Sequence, residues 1–147
     1  MSKRYFLIIA IVGIASLFLA TSIYADAECP DMIKMDNPAY SEHTMGIVTF
    51  SHKRHFEGYK LPCGECHHDD SGQPRTDLKV GDEVDGGCID CHDNPSRKPK
   101  GAKLSKSEML EYHAEALHIN CKECHKKEKK AGKRAPTFCD ECHPKKK

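Results

Sequence analysis

The chain has 147 residues, 31% charged and 38% hydrophobic, with no tryptophan, nine cysteines and ten histidines. That length fits one small domain, and the composition excludes a fold held by a large apolar core of its own. Lys and Arg (23) nearly balance Asp and Glu (22), but residues 28–93 hold 6 basic and 14 acidic side chains, net −8, whereas residues 94–147 hold 15 and 7, net +8. Such a chain is dipolar and suited to orienting on charged partners. Nucleic acid is disfavoured, because the basic half offers only Tyr112 and Phe138 as aromatics and no recognisable nucleic-acid-binding pattern.

Residues 1–27 read as a signal peptide. Lys3 and Arg4 precede an apolar run from Tyr5 to Ala20, and Ala25-Asp26-Ala27 supplies a cleavage site before Glu28. The run is shorter than the roughly 20 apolar residues of a spanning helix, with an uncleaved anchor as the other reading. The expected mature domain is 28–147, exported to the periplasm.

Met32-Ile33-Lys34-Met35 and Gly46-Ile47-Val48-Thr49-Phe50 are short, partly alternating runs that predict a small antiparallel hairpin with a long connection. Ser51 is positioned to cap a helical turn that sets His52 and His55 on one face. Asp69 to Gly87 is acidic, rich in glycine and interrupted by Pro74, and reads as a solvated loop; its carboxylates miss the EF-hand frame. Asn94 to Lys103 reads as a basic linker. The best helix is expected from Ser105 to about Ile119, opened by a Ser105/Glu108 capping box and a Leu104/Met109 staple. Its apolar face would hold Met109, Tyr112, His113, Ala116 and Leu117. Lys126 to Arg134 reads as a charged, solvated segment.

One pattern organises this sequence. Cys63-Gly64-Glu65-Cys66-His67 recurs as Cys88–His92, Cys121–His125 and Cys139–His143, each Cys-x-x-Cys followed directly by His. Two thiols and a following imidazole form the attachment unit of c-type haem: the thiols bond covalently to the porphyrin and the histidine binds iron. With ten histidines in 147 residues, chance would place one after all four pairs with a probability of about 10⁻⁵. The unit therefore predicts four haem c groups, attached through Cys63, Cys66, Cys88, Cys91, Cys121, Cys124, Cys139 and Cys142. Their proximal iron ligands would be His67, His92, His125 and His143. The porphyrins would then form the core, wrapped by a mostly irregular chain with few short helices. A haem-free chain should be largely unfolded.

If each iron takes two histidines, four more are needed, and His43, His52, His55, His68, His113 and His118 supply six. The surplus removes any need for an open iron position, which a haem enzyme acting on a substrate would require. His68 cannot reach the iron of adjacent His67 from the other side, so as a ligand it must serve a neighbouring haem. His52 and His55 would likewise anchor two cofactors from one turn. His113 and His118 lie about 140° apart around a helix and compete for the last place. His118, near the helix end and three residues before Cys121, is preferred; His43 reads as a surface residue. Met/His ligation raises haem potential, so an all-histidine set implies low potentials. Cys29 lies outside every unit, behind Glu28 rather than a lipobox, and defaults to a free or intermolecularly paired thiol.

In its order of features, Ile47-Val48-Thr49-Phe50 into His52 and His55, then Cys63–His67-His68, then three further units, the chain resembles the class III multihaem cytochromes c, the tetrahaem cytochrome c3 family. The resemblance covers nearly the whole mature chain. It implies His52 as distal ligand of the first haem, His68 of the second, His55 of the third and His118 of the fourth. Many members use a longer Cys-x-x-x-x-Cys-His spacing for the second and fourth haems, which this chain does not. His118-Ile119-Asn120-Cys121 is closer to the acidic, type II members. The family implies a periplasmic electron carrier of anaerobic respiration rather than an enzyme. Its partners would be hydrogenase, other multihaem cytochromes or a membrane-bound redox complex, and no small-molecule substrate is required. The competing classes are a multihaem reductase, a zinc module built from Cys-x-x-Cys pairs and a disulfide-linked interaction domain.

Overall fold

The computed structural model describes residues 29–84 and 86–146, so the expected signal peptide lies outside the described residues. The fold is small, with few regular elements. Strands β1 (Ile33–Lys34) and β2 (Thr49–Phe50) pair antiparallel, Ile33 opposite Phe50 and Lys34 opposite Thr49. The Met35 amide donates to the Val48 carbonyl at 2.9 Å beyond the last paired residues. The expected hairpin is thus present, and its purpose is to launch the histidine-bearing turn that follows Phe50.

That turn becomes a π-helix over Arg54–Gly58, closed by the Tyr59 amide on the Arg54 carbonyl at 2.9 Å. No side chain caps it. Ser51, expected to cap through its hydroxyl, instead offers its carbonyl to His55 Nδ1 at 2.8 Å. Lys60 then takes a left-handed φ of 56°, reversing the chain toward the first Cys-x-x-Cys-His unit.

Every unit is built on a helical turn. Cys63–Glu65 is a 3-10 turn, α1 spans Cys88–Cys91, and α4 spans Cys139–Cys142. The amide of the closing histidine donates to the first cysteine's carbonyl in three of them, at 2.9 Å for His67 and His92 and 2.7 Å for His143. Residues three apart share a helix face, so one turn presents both sulfurs to the same side. In α1 and α4 the acidic residue before the second cysteine reaches back: Asp90 accepts from the Gly87 amide at 2.7 Å, and Glu141 from the Thr137 and Phe138 amides at 2.7 and 2.8 Å.

The helix expected over Ser105–Ile119 is two helices. α2 (Lys106–Leu110) opens on the predicted capping box, with Glu108 accepting from the Ser105 amide at 2.7 Å. At Tyr112 the backbone is extended, and α3 runs from His113 to Lys130. A tertiary pairing makes the break: Asn94 forms a parallel bridge with Tyr112, its amide on the Glu111 carbonyl at 3.0 Å and its carbonyl accepting from the His113 amide at 2.9 Å. Backbone groups committed to Asn94 cannot also continue the helix. The 94–103 segment is accordingly more than a linker, and Arg97 fastens it further by an ion pair to Glu115 at 3.1 Å.

α3 carries the third unit inside it and reaches into the segment expected to be merely solvated. It ends in a Schellman turn: the Lys133 amide returns to the Glu128 carbonyl and the Gly132 amide to the Lys129 carbonyl, with Gly132 at φ 81°. Acidic residues 69–84 form turns, as expected. Asp69 organises the first by accepting from the Ser71 and Gln73 amides at 2.9 Å each.

Among the described residues the buried side chains are Ala116, His113 and Glu115, and no large one is fully buried. Apolar packing among side chains does not account for this fold. No helix of the described residues is long and apolar enough to cross a membrane.

Candidate haem-binding site

Eight of the ten histidines stand in four facing pairs. His52 lies opposite His67, with ring centres 6.3 Å apart, and His68 lies opposite His92 at 5.9 Å. His55 lies opposite His125 at 6.2 Å, and His118 opposite His143 at 6.2 Å. Each pair joins the histidine of one Cys-x-x-Cys-His unit to a histidine from outside the units. Two metal–nitrogen bonds of about 2 Å plus the half-width of each imidazole give about the same separation, so each pair fits one metal atom between its rings.

Backbone carbonyls fix most of these rings. Nδ1 of His55 meets the Ser51 carbonyl at 2.8 Å, that of His68 the Asp69 carbonyl at 2.8 Å and that of His92 the Leu110 carbonyl at 2.6 Å. Nδ1 of His125 meets the Pro136 carbonyl at 2.8 Å, and that of His143 the Gly46 carbonyl at 2.8 Å. His52 Nδ1 has a longer contact, 3.2 Å to the Pro30 carbonyl, with the Cys29 thiol 3.5 Å away. An Nδ1 proton given to a carbonyl fixes the tautomer and leaves Nε2 as the free electron pair, the arrangement of a metal-binding imidazole. His118 differs from these, because its Nδ1 is buried without a hydrogen-bond partner. Burial lowers the pKa of both His67 and His118, favouring the neutral form that can bind metal.

Aromatic side chains wedge His52 and His55 apart. Phe50 lies 5.8 Å from His52 and 4.6 Å from His55, Phe56 packs edge-on against His52, and Tyr59 edge-on against His55. One short stretch thereby aims two imidazoles at units far apart in sequence.

No two of the nine cysteines are joined by a disulfide. Burial first, and then the thiols of Cys66, Cys142, Cys88 and Cys124, push the Cys121 thiol up to about 11, so cysteines of all four units act on it. Among the described residues no group of three or more His, Cys, Asp or Glu side chains gathers as a tetrahedral metal site would. Paired histidines, with a thiol turn beside each, are the recurring arrangement.

The two remaining histidines form a separate group around Tyr40. His113, 7% exposed, places Nδ1 2.9 Å from the Tyr40 hydroxyl, and His43 stacks on the Tyr40 ring at 5.2 Å while pairing with Asp36 at 3.1 Å. Thus His113 and His118 diverge, His113 toward Tyr40 and His118 toward His143. His43, read as a surface residue, is partly enclosed by its two neighbours.

His113 has a consequence for stability. Burial first, and then the neighbouring His92, hold its pKa below the ordinary imidazole value. A histidine depressed in the folded state takes up its proton more readily unfolded. Its contribution is therefore full above the unfolded pKa of about 6.5 and declines as pH falls below it. His113→Gln is expected to lose about 1 kcal/mol at pH 7.5 with the Tyr40 hydrogen bond. Its melting temperature should also fall less than the native chain's between pH 7.5 and 5.5. Parallel melts of the two proteins check both points; equal pH dependence would place the titrating group elsewhere.

Sequence reasoning missed the carbonyls that orient the rings, and the backbone leaves no residue-type signal for them. It also missed a visible one: Glu65, Asp90, Glu123 and Glu141 stand immediately before the second cysteine of every unit. Two of the four cap their own turn, so the motif here is effectively Cys-x-acid-Cys-His.

Thiol turns followed by histidine, each facing a second histidine, define a c-type cytochrome with several attachment units. The chain belongs to the class III cytochrome c family, whose model matches residues 30–143. It is similar to cytochrome c3 of Maridesulfovibrio salexigens, 35% identical over 120 residues, which cover 82% of this chain and 99% of that one. Cytochrome c3 of Desulfovibrio desulfuricans is 34% identical over 122 residues, covering 82% and 98%. No solved structure matches the chain. The cofactors are c-type haems, for which the chain carries four attachment units, and the protein is a multihaem electron-transfer cytochrome.

Proposed function

We propose that this protein is a periplasmic carrier with four low-potential haems, each ligated by two histidines. It would pass electrons between redox proteins of anaerobic respiration, such as hydrogenase, other multihaem cytochromes or a membrane-bound redox complex. The observation that carries this reading is the set of four facing histidine pairs. The axial pairs are then His67 with His52, His92 with His68, His125 with His55, and His143 with His118. The thioether positions are Cys63 and Cys66, Cys88 and Cys91, Cys121 and Cys124, and Cys139 and Cys142. Residues 28–147 form the haem-carrying domain behind a cleaved leader, and the haems take the place of an apolar core.

The haem iron supplies the one-electron chemistry when bound. Six of the eight imidazoles are fixed through Nδ1 contacts to backbone carbonyls, and a histidine on either side of each iron would deny a substrate access to the metal. Two imidazoles, without methionine, hold the potentials low. Adjacent His67 and His68 belong to different pairs, as do His52 and His55, which couples neighbouring haems closely enough for exchange between them. A spectroelectrochemical titration tests the reading. Four electrons per chain at low potential are expected, whereas a haem that binds exogenous ligand when reduced would restore the enzyme reading.

A further inference from the structure

We propose that copies of this chain dock head to tail, the acidic loop of one seating on a lysine-ringed phenylalanine of the next. Lys122, Lys126, Lys129 and Lys130 on α3 share a shallow surface with Thr137 and Phe138. Phe138 is 65% exposed, with Lys129 Nζ 4.8 Å from its ring centre. Lys129 is also held to the Thr137 hydroxyl at 3.1 Å, so the patch is ordered rather than a spray of free side chains. Among the described residues, none of these four lysines forms an ion pair with a carboxylate; α3's ion pairs use Glu115 and Glu128 instead.

The second surface has the opposite charge and a similar design. Asp69, Asp70, Asp77, Asp82 and Glu83 are exposed on the loop between the first two units, and of these Asp77 alone pairs with a basic side chain, Arg75. Val80 and Val84 stand out among them, 58% and 43% exposed. Each surface sets exposed apolar side chains among charges mainly of one sign, with Lys79 beside Val80 the basic exception on the acidic loop. No ion pair among the described residues joins the two surfaces within one molecule, so their charges remain available to a neighbour. The chain itself carries both halves of a complementary pair, which commits the occupant to a second copy.

Unlike patches on one chain make a heterologous contact: every docking leaves an acidic loop and a lysine face open, so short rows form rather than closed dimers. Contacts of this size and charge are transient and fast. Phe138 directly precedes Cys139, and Val84 lies four residues before Cys88. The contact therefore sets the fourth unit of one copy beside the second unit of the next. What this would do, pass electrons along a row, rests on the carrier reading above; the docking itself does not.

The test uses the mature haem-loaded protein at about 0.5 mM, where low-end interfaces are populated. Sedimentation velocity is run at about 10 mM salt, where charges act over roughly 30 Å, and at about 1 M, where they act over roughly 3 Å. Two variants accompany it, Lys126→Glu/Lys130→Glu and Asp70→Lys/Glu83→Lys. The native protein is expected to associate at low salt and to be monomeric at high salt. Each variant alone should associate at least about tenfold more weakly. An equimolar mixture of the two variants should regain association, because every reversed patch then meets its opposite. A native protein monomeric at low salt, association indifferent to salt, or a mixture no stickier than its components would overturn the proposal. Visible absorbance per unit mass reads haem loading in the same cell, so loss of cofactor is distinguished from loss of docking.

Discussion

His68→Met is expected to raise the potential of one haem in four by on the order of 0.1–0.2 V, a fraction of the roughly 0.8 V that axial ligands command. The direction follows from ligand chemistry, since thioether sulfur favours ferrous iron more than imidazole does. The location follows from geometry. His68 lies next to His67 in sequence but faces His92, with ring centres 5.9 Å apart, and its Nδ1 is held by the Asp69 carbonyl. Removing it should alter the haem of the second unit and leave that of the first intact. Spectroelectrochemical titration of the variant should show three potentials close to native and one displaced upward. His113→Gln serves as the control, because His113 faces Tyr40 rather than a Cys-x-x-Cys-His histidine. Four unchanged potentials in the methionine variant would remove His68 from the ligand set.

Gly46→Ala should be among the most damaging small substitutions in the chain. An added Cβ would press directly on the backbone carbonyl of Pro144, with the Pro144 carbonyl carbon 2.9 Å away. Neither is the flexible tip of a side chain, so the backbone itself must shift, at a cost of about 1–3 kcal/mol as in overpacked interiors. The same residue's carbonyl accepts from His143 Nδ1, so the displacement also turns a histidine that faces His118. Guanidinium unfolding should show the stability loss, and a split or broadened signal from one haem should accompany it. Gly58→Ala is the matched control: its Cβ meets only the Arg54 side chain at 3.4 Å, an ordinary contact. That change should be neutral or slightly stabilising through the unfolded chain. Equal effects at the two glycines would mean that the Gly46–Pro144 approach does not hold the C-terminal unit.

The attachment chemistry was legible in the sequence because it is local. Two cysteines three apart and a histidine one further on dictate a helical turn, and all four units contain one. The Ser105/Glu108 cap and the 32–50 hairpin were legible for the same reason. The break at Tyr112 was not. Its cause is a backbone bridge from Asn94, eighteen residues earlier, and nothing in the helical periodicity of 105–119 records that competitor. The same limit explains α3, whose alanine, leucine, lysine and glutamate residues favour helix through the third unit to Gly132. Reading the unit as a boundary hid that continuity.

Histidine counting gave a surplus of two, read as His43 and His113, without saying what would hold them apart from the rest. The fold separates them through Tyr40, an unremarked residue in the long hairpin connection, which gathers His43 and His113 into a group apart from the four pairs. The carbonyls of Ser51, Asp69, Leu110, Pro136 and Gly46 lay beyond sequence reasoning altogether, since any residue offers a carbonyl and only the chain path aims it. Spacing therefore identified the cofactor, while long-range backbone placement decides how the paired histidines are held.

Intact mass combined with low-temperature electron paramagnetic resonance of the oxidised mature protein tests the central claim most directly. The account predicts the mass of the chain plus four covalently bound haems, and four low-spin ferric signals with no high-spin component. Fewer than four haems, or one high-spin iron per chain, would contradict the assignment of eight histidines to four pairs.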